Sequence, residues 1–553
     1  MLYNLSINYK IYSIGLKVKY NGIYSKKTYY RNLNRIDKSS KYKLLFINAT
    51  FKIEVLDQVV AFYSYNTSNN INVKLLIFFI LTSLIIDLSK GVYTLIDFDI
   101  KRDKGIKVHF VGIGGISMSG LADTLLYNGY SVSGSDVHNS KIVERLIGKG
   151  AKISIGHDEN NIIGADLIVY TAAVKWDNPE LIKAKELNLP IVDRAEFLGQ
   201  IMKQYKYSIA VSGAHGKTTT TSLLSIILKN ADLDPTIMVG GEVDALGGNV
   251  RNGKSQYFVA EACEYFESFL RLYPYIGIIL NIDADHLDYY KDIAHIKTAF
   301  KKFVLLIPNN GYLVVCSDDE NSMEISKNAK CNIITFGLSV DADWTARNIE
   351  YDDRGCAWFD TFHLGKLFGS FKLNIPGRHN IYNALASLAS AEIFNIDKNI
   401  ISQSLLEFHG TRRRFEKKGE INGAIVIDDY AHHPTEVMAT LSAAKNYPHK
   451  KLWCVFQPHT YTRTLKLLGE FSHAFGDADE LIITDIYAAR EKDTGEINSI
   501  ILTQKIKDDG VNVKYISSFE NIVEYLKGSI SPGDMVITMG AGDVYIVGEM
   551  LLK

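Results

Sequence analysis

The segment 210–220, Ala-Val-Ser-Gly-Ala-His-Gly-Lys-Thr-Thr-Thr, has the residue types and spacing of a phosphate-binding loop. Gly213 and Gly216 allow the backbone to close around phosphate oxygens, which the loop amides and the start of a following helix can bind. Lys217 can reach the β and γ phosphates, and the Thr218 hydroxyl can hold Mg²⁺. The predicted nucleotide-binding residues are Gly213, Ala214, His215, Gly216, Lys217, Thr218 and Thr219.

The match to the usual phosphate-loop pattern is inexact, because Val211 stands where that pattern has its first glycine. A glycine turn with an incidental Gly-Lys-Thr is therefore the alternative. An apolar strand precedes the loop, and the helix that follows contains Leu223, Leu224, Ile227 and Leu228. The coincidence of strand, glycines, lysine, hydroxyl and helix favours phosphate binding.

Carboxylates follow two further predicted strands, at the end where α/β sheets bind their ligands. Glu261 comes directly after the apolar residues 258–260, and the segment 283–288, Asp-Ala-Asp-His-Leu-Asp, follows the apolar run 276–282. Oxygen ligands suit Mg²⁺, which neutralises charge in phosphoryl transfer. His286 could be structural, but the neighbouring carboxylates make it a candidate ligand. The predicted metal ligands are Thr218, Glu261 and His286.

A second glycine-rich segment, 112–120, opens a predicted helix after the strand that ends at Val111. It resembles a dinucleotide-binding fingerprint, but the third glycine of that pattern would fall at Ser117. A diphosphate at the helix N-terminus is therefore expected without implying NAD, and a structural turn is the alternative. The predicted substrate-binding residues are Gly112, Gly114, Gly115, Ser117, Gly120 and Asp136, the last of which closes the next strand.

Three polar clusters lie at predicted turns and strand ends, in the segments 376–383, 428–434 and 457–463. Packing does not require so many polar side chains at these places. Each cluster alone could be a solvated loop. Taken together, they indicate a composite cleft between several domains.

The elements that must position these residues begin at Ile106, where short apolar runs start to alternate with helical segments. Strands buried on both faces of a parallel sheet have this pattern. Pro434 suits a first helical position, and Val437, Leu441 and Ala444 recur at helical spacing. The runs predict three consecutive α/β domains, the outer two Rossmann-like and the central one similar to P-loop ATPases. The predicted domains span 105–204, 205–411 and 412–553.

The chain of 553 residues, with 47% hydrophobic and 22% charged residues, has the composition of a globular protein of several domains. Its 61 basic and 62 acidic side chains give no net field that would hold nucleic acid or an anionic membrane. The five cysteines are scattered without metal-binding spacing, which indicates reduced thiols and a cytoplasmic protein. Composition does not predict an oligomeric state.

Residues 1–94 differ from the rest, being rich in Tyr, Asn, Lys and Ile without sustained periodicity. The apolar run 75–86 is shorter than the roughly 20 residues of a membrane-spanning helix and lies far from Met1, so neither stable membrane insertion nor a secretory signal is expected. We favour the hypothesis that this extension is a translated leader. Residues 90–92 can be encoded by a ribosome-binding sequence, and Leu95 by a TTG start codon.

Motifs from about Lys107 to the C-terminus resemble, in the same order, those of the Mur ligases of bacterial cell-wall synthesis. The motifs are GIGGISMSG, SGAHGKTTT, EACEYFESFL, NIDADHLD, PGRHNIYNALA, DDYAHHPTE and QPHTYTRT. Within that family they are most similar to the members that join L-alanine to UDP-N-acetylmuramate. One departure is Thr460, where we associate many relatives with arginine.

The resemblance implies an ATP-dependent ligase of peptidoglycan synthesis, with ATP and Mg²⁺ as cofactors and UDP-N-acetylmuramate and L-alanine as substrates. ATP would phosphorylate the lactyl carboxylate, and the amine of L-alanine would attack the acyl phosphate. The segment 112–120 would hold the UDP diphosphate, and Asn380 and Asn383 the adenine. The residues near the amino acid or the reacting carboxylate would be Tyr430, His432, His459 and Arg463. The catalytic residues would be Lys217, Glu261, His286, His432 and Arg463.

Three other functions are compatible with the sequence. A related recycling ligase attaches an intact tripeptide to the same sugar nucleotide and would accept a bulkier amine. A nicotinamide-dependent oxidoreductase could use the segment 112–120, but it would leave Gly213 to Thr218 without a role. A non-catalytic nucleotide switch would bind ATP and release no phosphate.

Overall fold

In the computed structural model, the strands of the described residues form three separate sheets. The structure describes residues 98–100 and 102–553, and the compact unit discussed below contains residues 97–187 and 193–553. The predicted extension 1–94, its apolar run and the proposed start at Leu95 lie outside the described residues. Within the described part of the chain, no helix is both long and apolar enough to cross a bilayer.

The first sheet is parallel, and its first four strands lie in the order β3-β2-β1-β4. Its strands are β1 Lys107–Val111, β2 Ser131–Asp136, β3 Lys152–Ile155 and β4 Leu167–Tyr170, and a short strand β5 Ile191–Asp193 follows along the chain. Its helices are α1 Ile116–Tyr127, α2 Lys141–Gly148, α3 Pro179–Glu186 and α4 Arg194–Met202. The predicted alternation of apolar strands and helices is therefore present.

The second sheet has ten strands in the order β15-β14-β13-β12-β11-β10-β6-β9-β7-β8. Its strands are β6 Tyr207–Ser212, β7 Thr236–Val243, β8 Gly248–Arg251, β9 Tyr257–Glu261, β10 Ile276–Ile279, β11 Tyr312–Cys316, β12 Asn332–Gly337, β13 Trp344–Tyr351, β14 Cys356–His363 and β15 Lys366–Pro376. Its helices are α5 Lys217–Asn230, α6 Ile293–Val304, α7 Glu320–Ser326, α8 His379–Glu392 and α9 Lys398–Glu407.

The third sheet has six strands in the order β16-β17-β21-β18-β19-β20. Its strands are β16 Glu416–Ile421, β17 Ala424–Asp429, β18 Leu452–Phe456, β19 Glu480–Ile483, β20 Val513–Tyr515 and β21 Met535–Met539. Its helices are α10 Pro434–Lys445, α11 Tyr461–Lys466, α12 Leu468–Ser472, α13 Ser499–Asp508, α14 Phe519–Ser529 and α15 Tyr545–Leu551.

Helix α10 begins where the sequence predicts, with Pro434 in its first turn. The side chain of His433 caps it by accepting the N–H of Thr435, and Val437 and Leu441 are fully buried. Proline is well suited to this position because its missing N–H has no helical partner there. The prediction of three α/β domains is confirmed as a fold class.

Six of the described strands were not predicted, namely β5, β8, β13, β14, β15 and β16, because none of them is marked by a sustained apolar run. β13, β14 and β15 form an antiparallel extension of the second sheet, in which buried and exposed residues mix. β16, with the sequence Glu-Lys-Lys-Gly-Glu-Ile, is an antiparallel edge strand of the third sheet. Charged edge strands of this kind protect a sheet from pairing with other chains.

Candidate active site

The predicted phosphate-binding loop joins β6 to α5 near the centre of the second sheet. β6 ends at Ser212 and α5 begins at Lys217, while Val211 is a buried strand residue paired with Glu261 of β9. Because the strand continues through Val211, the loop turns at Gly213, whose φ is 138°. Strand, turn and helix thus occur as predicted. The turn begins after Val211, the position at which the usual pattern has its first glycine.

Gly216 is the point where the loop closely approaches helix α8. Its φ of 85° lies in the left-handed region, and a Cβ atom at this position would collide with Oδ1 of Asn383. Only glycine meets both conditions without strain. The start of α5 is therefore held directly against the amide predicted to bind adenine.

Asn281, which the sequence analysis did not single out, supports the loop from the end of β10. Its Oδ1 accepts the N–H of His215 at 2.8 Å, and its amide donates to the carbonyl of His215 at 3.1 Å. Its own carbonyl accepts the N–H of Ala214 at 3.2 Å. β10 ends at Ile279, earlier than the predicted run 276–282, because the chain after it turns to make these contacts.

Lys217 lies in a buried pair with Glu264. Its ammonium group is 3.0 Å from Oε2 of Glu264 and also donates to the carbonyls of Gly213 and Ala214. Burial alone would lower the pKa of Lys217, but the Glu264 carboxylate outweighs burial and raises it. The lysine is therefore charged, as phosphate binding requires. Glu264 lies within the motif that begins at Glu261, but it was not among the predicted site residues.

His215 connects the loop to the third sheet. Its Nε2 lies 3.0 Å from Oδ2 of Asp283, and its Nδ1 lies 3.3 Å from Oε1 of Glu436 on α10. Burial would lower the pKa of His215, but its two carboxylate partners raise it to about 9. A charged imidazole between two carboxylates thus joins two sheets. Glu436 was also missed, although it lies only two residues after the polar cluster 428–434.

A cavity of 510 Å³ lies beside the loop and carries the residues predicted for adenine. The side-chain amide of Asn380 donates to the carbonyl of Pro376 at 2.7 Å, and its Oδ1 accepts from Asn383 at 2.9 Å. Thr220 donates to Oδ1 of Asn383 at 3.1 Å. Each amide is thus fixed in orientation. The cavity is bounded on its other side by Arg414, Glu436, Ala439 and Thr440.

A cavity of 760 Å³ contains the predicted metal ligands Thr218, Glu261 and His286. The donor atoms of Glu264, Asp285 and His286 lie within 4.8 Å of one another, so this group could hold a metal ion. Glu261 is not in that group. Its carboxylate accepts the N–H of Gly240 and forms no ion pair among the described residues, which leaves its oxygens available to a cation. Carboxylates and a hydroxyl are donors that fit Mg²⁺.

The same cavity carries the residues that the resemblance implies for the amino acid. The rings of His432 and His459 meet edge to face, with centroids 5.6 Å apart, and Tyr430 adjoins His432. Burial, together with the positive charge of Arg463, lowers the pKa of His432 to about 4 and that of His459 to about 3. Both imidazoles are therefore neutral near pH 7.

The guanidinium group of Arg463, which was predicted to approach the substrate, already forms hydrogen bonds within the protein. Its Nε and Nη2 donate to Oδ1 of Asp285 at 3.2 and 2.8 Å, and its Nη1 donates to the carbonyl of His459 at 3.2 Å. Its side chain is 10% exposed and that of Asp285 is 8% exposed. Thr460, the departure noted above, caps α11 by accepting the N–H of Arg463.

The glycine-rich segment 112–120 joins β1 to α1, as predicted. Gly114 donates its N–H to Oδ2 of Asp136 at 2.8 Å, so this aspartate orders the loop. A cavity of 370 Å³ is bounded by Ser117 and Gly120 on one side and by Lys217 and Glu261 on the other. Gly115 also lines it, whereas Gly112 and Gly114 do not. The structure therefore brings the two predicted phosphate-binding segments to one cavity.

Three family models match successive parts of the chain. Residues 107–206 match the Mur ligase family catalytic domain, residues 211–391 the Mur ligase middle domain, and residues 413–542 the Mur ligase glutamate ligase domain.

Individual relatives match over nearly their whole length. The chain is 56% identical over 455 residues to a UDP-N-acetylmuramate–L-alanine ligase from Caldanaerobacter subterraneus. The aligned residues make up 82% of this chain and 99% of the relative. The crystal structure of the UDP-N-acetylmuramate-alanine ligase from Thermotoga maritima is similar, with 30% identity, a TM-score of 0.70, and coverage of 81% of this chain and 98% of that one. A murein peptide ligase from Psychrobacter arcticus is 25% identical with a TM-score of 0.62, again covering 81% and 98%.

Proposed function

Because the chain belongs to the Mur ligase family, we propose that it is an ATP-dependent ligase that joins L-alanine to the lactyl carboxylate of UDP-N-acetylmuramate in peptidoglycan precursor synthesis. The observation that carries this proposal is the 760 Å³ cavity, which Lys217, Glu261, His432 and His459 line together. A phosphate-activating group and an amine-orienting group thus share one space.

ATP would lie with its adenine in the 510 Å³ cavity and its phosphates along the loop. The position of Asn380 and Asn383 beside Gly216 supports this orientation, because the adenine and phosphate sites then adjoin. Helix α5 directs its N-terminal amides at the phosphates. Lys217 would exchange the carboxylate of Glu264 for the terminal phosphates, which keeps its charge paired throughout.

Thr218, Glu261 and His286 would hold Mg²⁺ in this proposal, with Glu264 and Asp285 beside them. The cation supplies charge neutralisation during phosphoryl transfer. The chain's own contribution is chiefly positioning, since catalysis of phosphoryl transfer depends mainly on orientation and charge. Well-oriented partners can gain roughly 7 to 11 kcal/mol from proximity.

The sugar nucleotide would reach the loop through the 370 Å³ cavity. Its diphosphate suits the N-terminus of α1 at Gly115, where backbone amides favour anions. From there the cavity extends to Lys217 and Glu261, where the lactyl carboxylate would meet the terminal phosphate.

L-alanine would bind where His432 and His459 face the 760 Å³ cavity. Neutral imidazoles can accept hydrogen bonds from an amine without repelling it. Tyr430 would border the same site, between Arg413 and Arg414, whose guanidinium groups each lie 5.1 Å from its ring centroid. A cytoplasmic location is part of this proposal, because ATP and nucleotide-linked sugars are its substrates.

A phosphate-release assay tests the proposal. Purified protein with ATP, Mg²⁺ and UDP-N-acetylmuramate should release phosphate when L-alanine is added and should form ADP in equal amount. The matched arm replaces L-alanine with the tripeptide of the recycling ligases. Faster release with the tripeptide would assign the chain to that group, and no release with any amine would refute a ligase.

A further inference from the structure

The segment 283–288, which follows β10, lies between the second and third sheets and contacts both. We call it the coupling loop. Four of its residues contact residues of the third sheet's helices and loops, and these are Asp283, Ala284, Asp285 and Leu287. The side chain of His286 instead lies beside Glu264. This alternation was not apparent from the sequence, where the segment appeared only as a source of metal ligands.

The contacts with the third sheet are polar and apolar. Asp283 accepts the hydroxyl of Thr435 at 2.8 Å, and the carbonyl of Ala284 lies 3.3 Å from Nε2 of His433. The carbonyl of Leu287 accepts from Lys466 at 2.6 Å. The Leu287 side chain also packs against the apolar core between the third sheet and its helices. The coupling loop is therefore anchored on a different sheet from the one that it follows.

His286 is held on the other side, among the metal-site groups. Its Nε2 lies 3.6 Å from Oε1 of Glu264, and its ring stacks on Tyr265 with centroids 4.3 Å apart. Its φ of 53° is in the left-handed region, which is uncommon for a residue with a side chain. Strained backbone of this kind persists only when its surroundings hold it.

One oxygen atom links the two sides. Oδ1 of Asp285 accepts both guanidinium donors of Arg463, at 2.8 and 3.2 Å, and also accepts the backbone N–H of His286 at 2.6 Å. A guanidinium group on α11 is thus joined to the backbone of His286 through a single carboxylate oxygen. If α11 moved away, the carboxylate would lose the partner that fixes its orientation.

We infer that docking of the third sheet onto the coupling loop places His286 for metal binding, with Asp285 as the positioning residue and Arg463 as its partner. The inference rests on the proposed function, because it takes His286 as a metal ligand. Coordination would thereby depend on the part of the chain that carries the amino-acid site. Activation of the carboxylate would then be restricted to the arrangement in which the third sheet contacts the coupling loop.

Binding of Mn²⁺ to the full chain in the presence of ADP, followed by electron paramagnetic resonance, tests this inference. Asp285→Asn keeps the size of the side chain and removes its charge, but Asp285 also belongs to the group that could hold the ion. Arg463→Gln removes its partner and leaves Glu264, Asp285 and His286 in place, so this variant separates positioning from direct coordination. We expect each to weaken Mn²⁺ binding by about 10- to 100-fold, the usual effect of losing a group that orients a metal ligand. The double variant Asp285→Asn, Arg463→Gln should lose no more Mn²⁺ affinity than either single variant, because both substitutions remove the same contact.

Two further variants separate the possible outcomes. Glu324→Gln removes a carboxylate from an exposed ion pair with Lys297 and Lys301 and should leave Mn²⁺ affinity unchanged. Lys466→Met removes only the contact with Leu287 and should weaken binding about two- to tenfold. It replaces Arg463→Gln if that variant does not fold.

His286→Ala separates failure of this inference from failure of the proposed metal site. If His286→Ala weakens Mn²⁺ binding but the Asp285 and third-sheet variants do not, the coupling is refuted and the metal assignment stands. If His286→Ala has no effect, both are refuted. Larger losses in the double variant than in either single variant would also overturn the coupling, since the two residues would then act separately.

Discussion

Lys217 and Glu264 form a buried ion pair at the phosphate-binding loop, and Lys217 also donates to loop carbonyls. Both side chains are largely buried, with 15% and 4% of their surfaces exposed. Removing one member of a buried ion pair leaves the other charge without a partner, which costs about 3 to 5 kcal/mol. Any variant at Lys217 therefore changes both the chemistry and the stability of the protein.

We expect Lys217→Ala to lower the rate of ATP-dependent phosphate release by about 10²- to 10³-fold, because a charged donor to the transferred group is lost. It should also lower the melting temperature. Affinity for UDP-N-acetylmuramate should change little, although Lys217 borders the cavity that contains Ser117. Calorimetry measures the affinity, and loss of sugar-nucleotide binding together with ligation would contradict the proposal that the diphosphate is held at the N-terminus of α1 and not by Lys217.

The double variant Lys217→Ala, Glu264→Gln is the control for stability. It removes the unpaired buried carboxylate, so its melting temperature should return towards that of the unaltered protein. Activity should stay low. Recovery of activity in the double variant would indicate that Lys217 has a structural role only.

His215 gives a pH dependence of stability with a defined sign. Its folded-state pKa of about 9 exceeds the ordinary value of 6.5, so the folded protein binds this proton more tightly than the unfolded chain. The stabilisation is therefore complete below about pH 6.5 and is lost as pH rises through 9. A shift of this size corresponds to about 3 kcal/mol.

Thermal melts of the nucleotide-free protein and of His215→Gln, from pH 6 to pH 10, measure this contribution. The difference in melting temperature should be largest near pH 6 and should shrink towards pH 10. A difference that stays constant over this range would mean that His215 is not charged in the folded protein.

Residues predicted from short motifs lie around one cavity in the structure, whereas the contacts that other residues make across the fold were not predicted. Lys217, Glu261 and His286 each follow a predicted strand, and parallel strands bring their carboxyl ends to one edge. Asn281 and Glu264 gained their roles from contacts with residues far along the chain, and no local spacing encodes such contacts.

At the scale of elements, the junction between the phosphate-binding loop and α5 depends on Gly216. A side chain at this position would meet Asn383 on α8, and the backbone would be strained as well. Gly129, just after α1, has a similar φ of 82° but has no atom within 4 Å of the Cβ position. The two glycines therefore separate backbone strain from contact.

We expect Gly216→Ala and Gly129→Ala to share a backbone cost of about 1 to 2 kcal/mol. Only Gly216→Ala should also weaken ATP binding, because it displaces the amide of Asn383 in the 510 Å³ cavity. Equilibrium binding of a fluorescent ATP analogue provides the comparison. Equal ATP affinity in the two variants would show that the contact between Gly216 and Asn383 does not support the nucleotide site.

Three of the strands that were not predicted, β13 to β15, share a physical cause. β13 to β15 have one partly exposed face, so polar and apolar residues mix and no continuous apolar run marks them. The buried parallel strands on either side of the phosphate-binding loop were predicted because both of their faces are covered. Burial on two faces is visible in a sequence, whereas the register of an edge hairpin depends on its neighbours.

At the scale of the whole molecule, the 510 Å³ cavity is shared between two sheets. Asn380 and Asn383 line it from the second sheet's helix α8, while Glu436, Ala439 and Thr440 line it from α10 of the third. A nucleotide that fills this cavity contacts both sides at once. A nucleotide that binds this arrangement better than one in which the two sheets lie apart would shift the population towards it.

We therefore expect ADP with Mg²⁺ to slow amide hydrogen exchange in α10, although that helix packs on the third sheet. The control is α13, Ser499–Asp508, which packs on the same sheet but lines neither the 510 Å³ cavity nor the 760 Å³ cavity. Exchange in α13 should be unchanged. Mass spectrometry of the full chain with and without nucleotide measures both helices in one experiment. Protection confined to the phosphate-binding loop and α8 would mean that the nucleotide binds without engaging the third sheet, and closure would then have to depend on the other substrates.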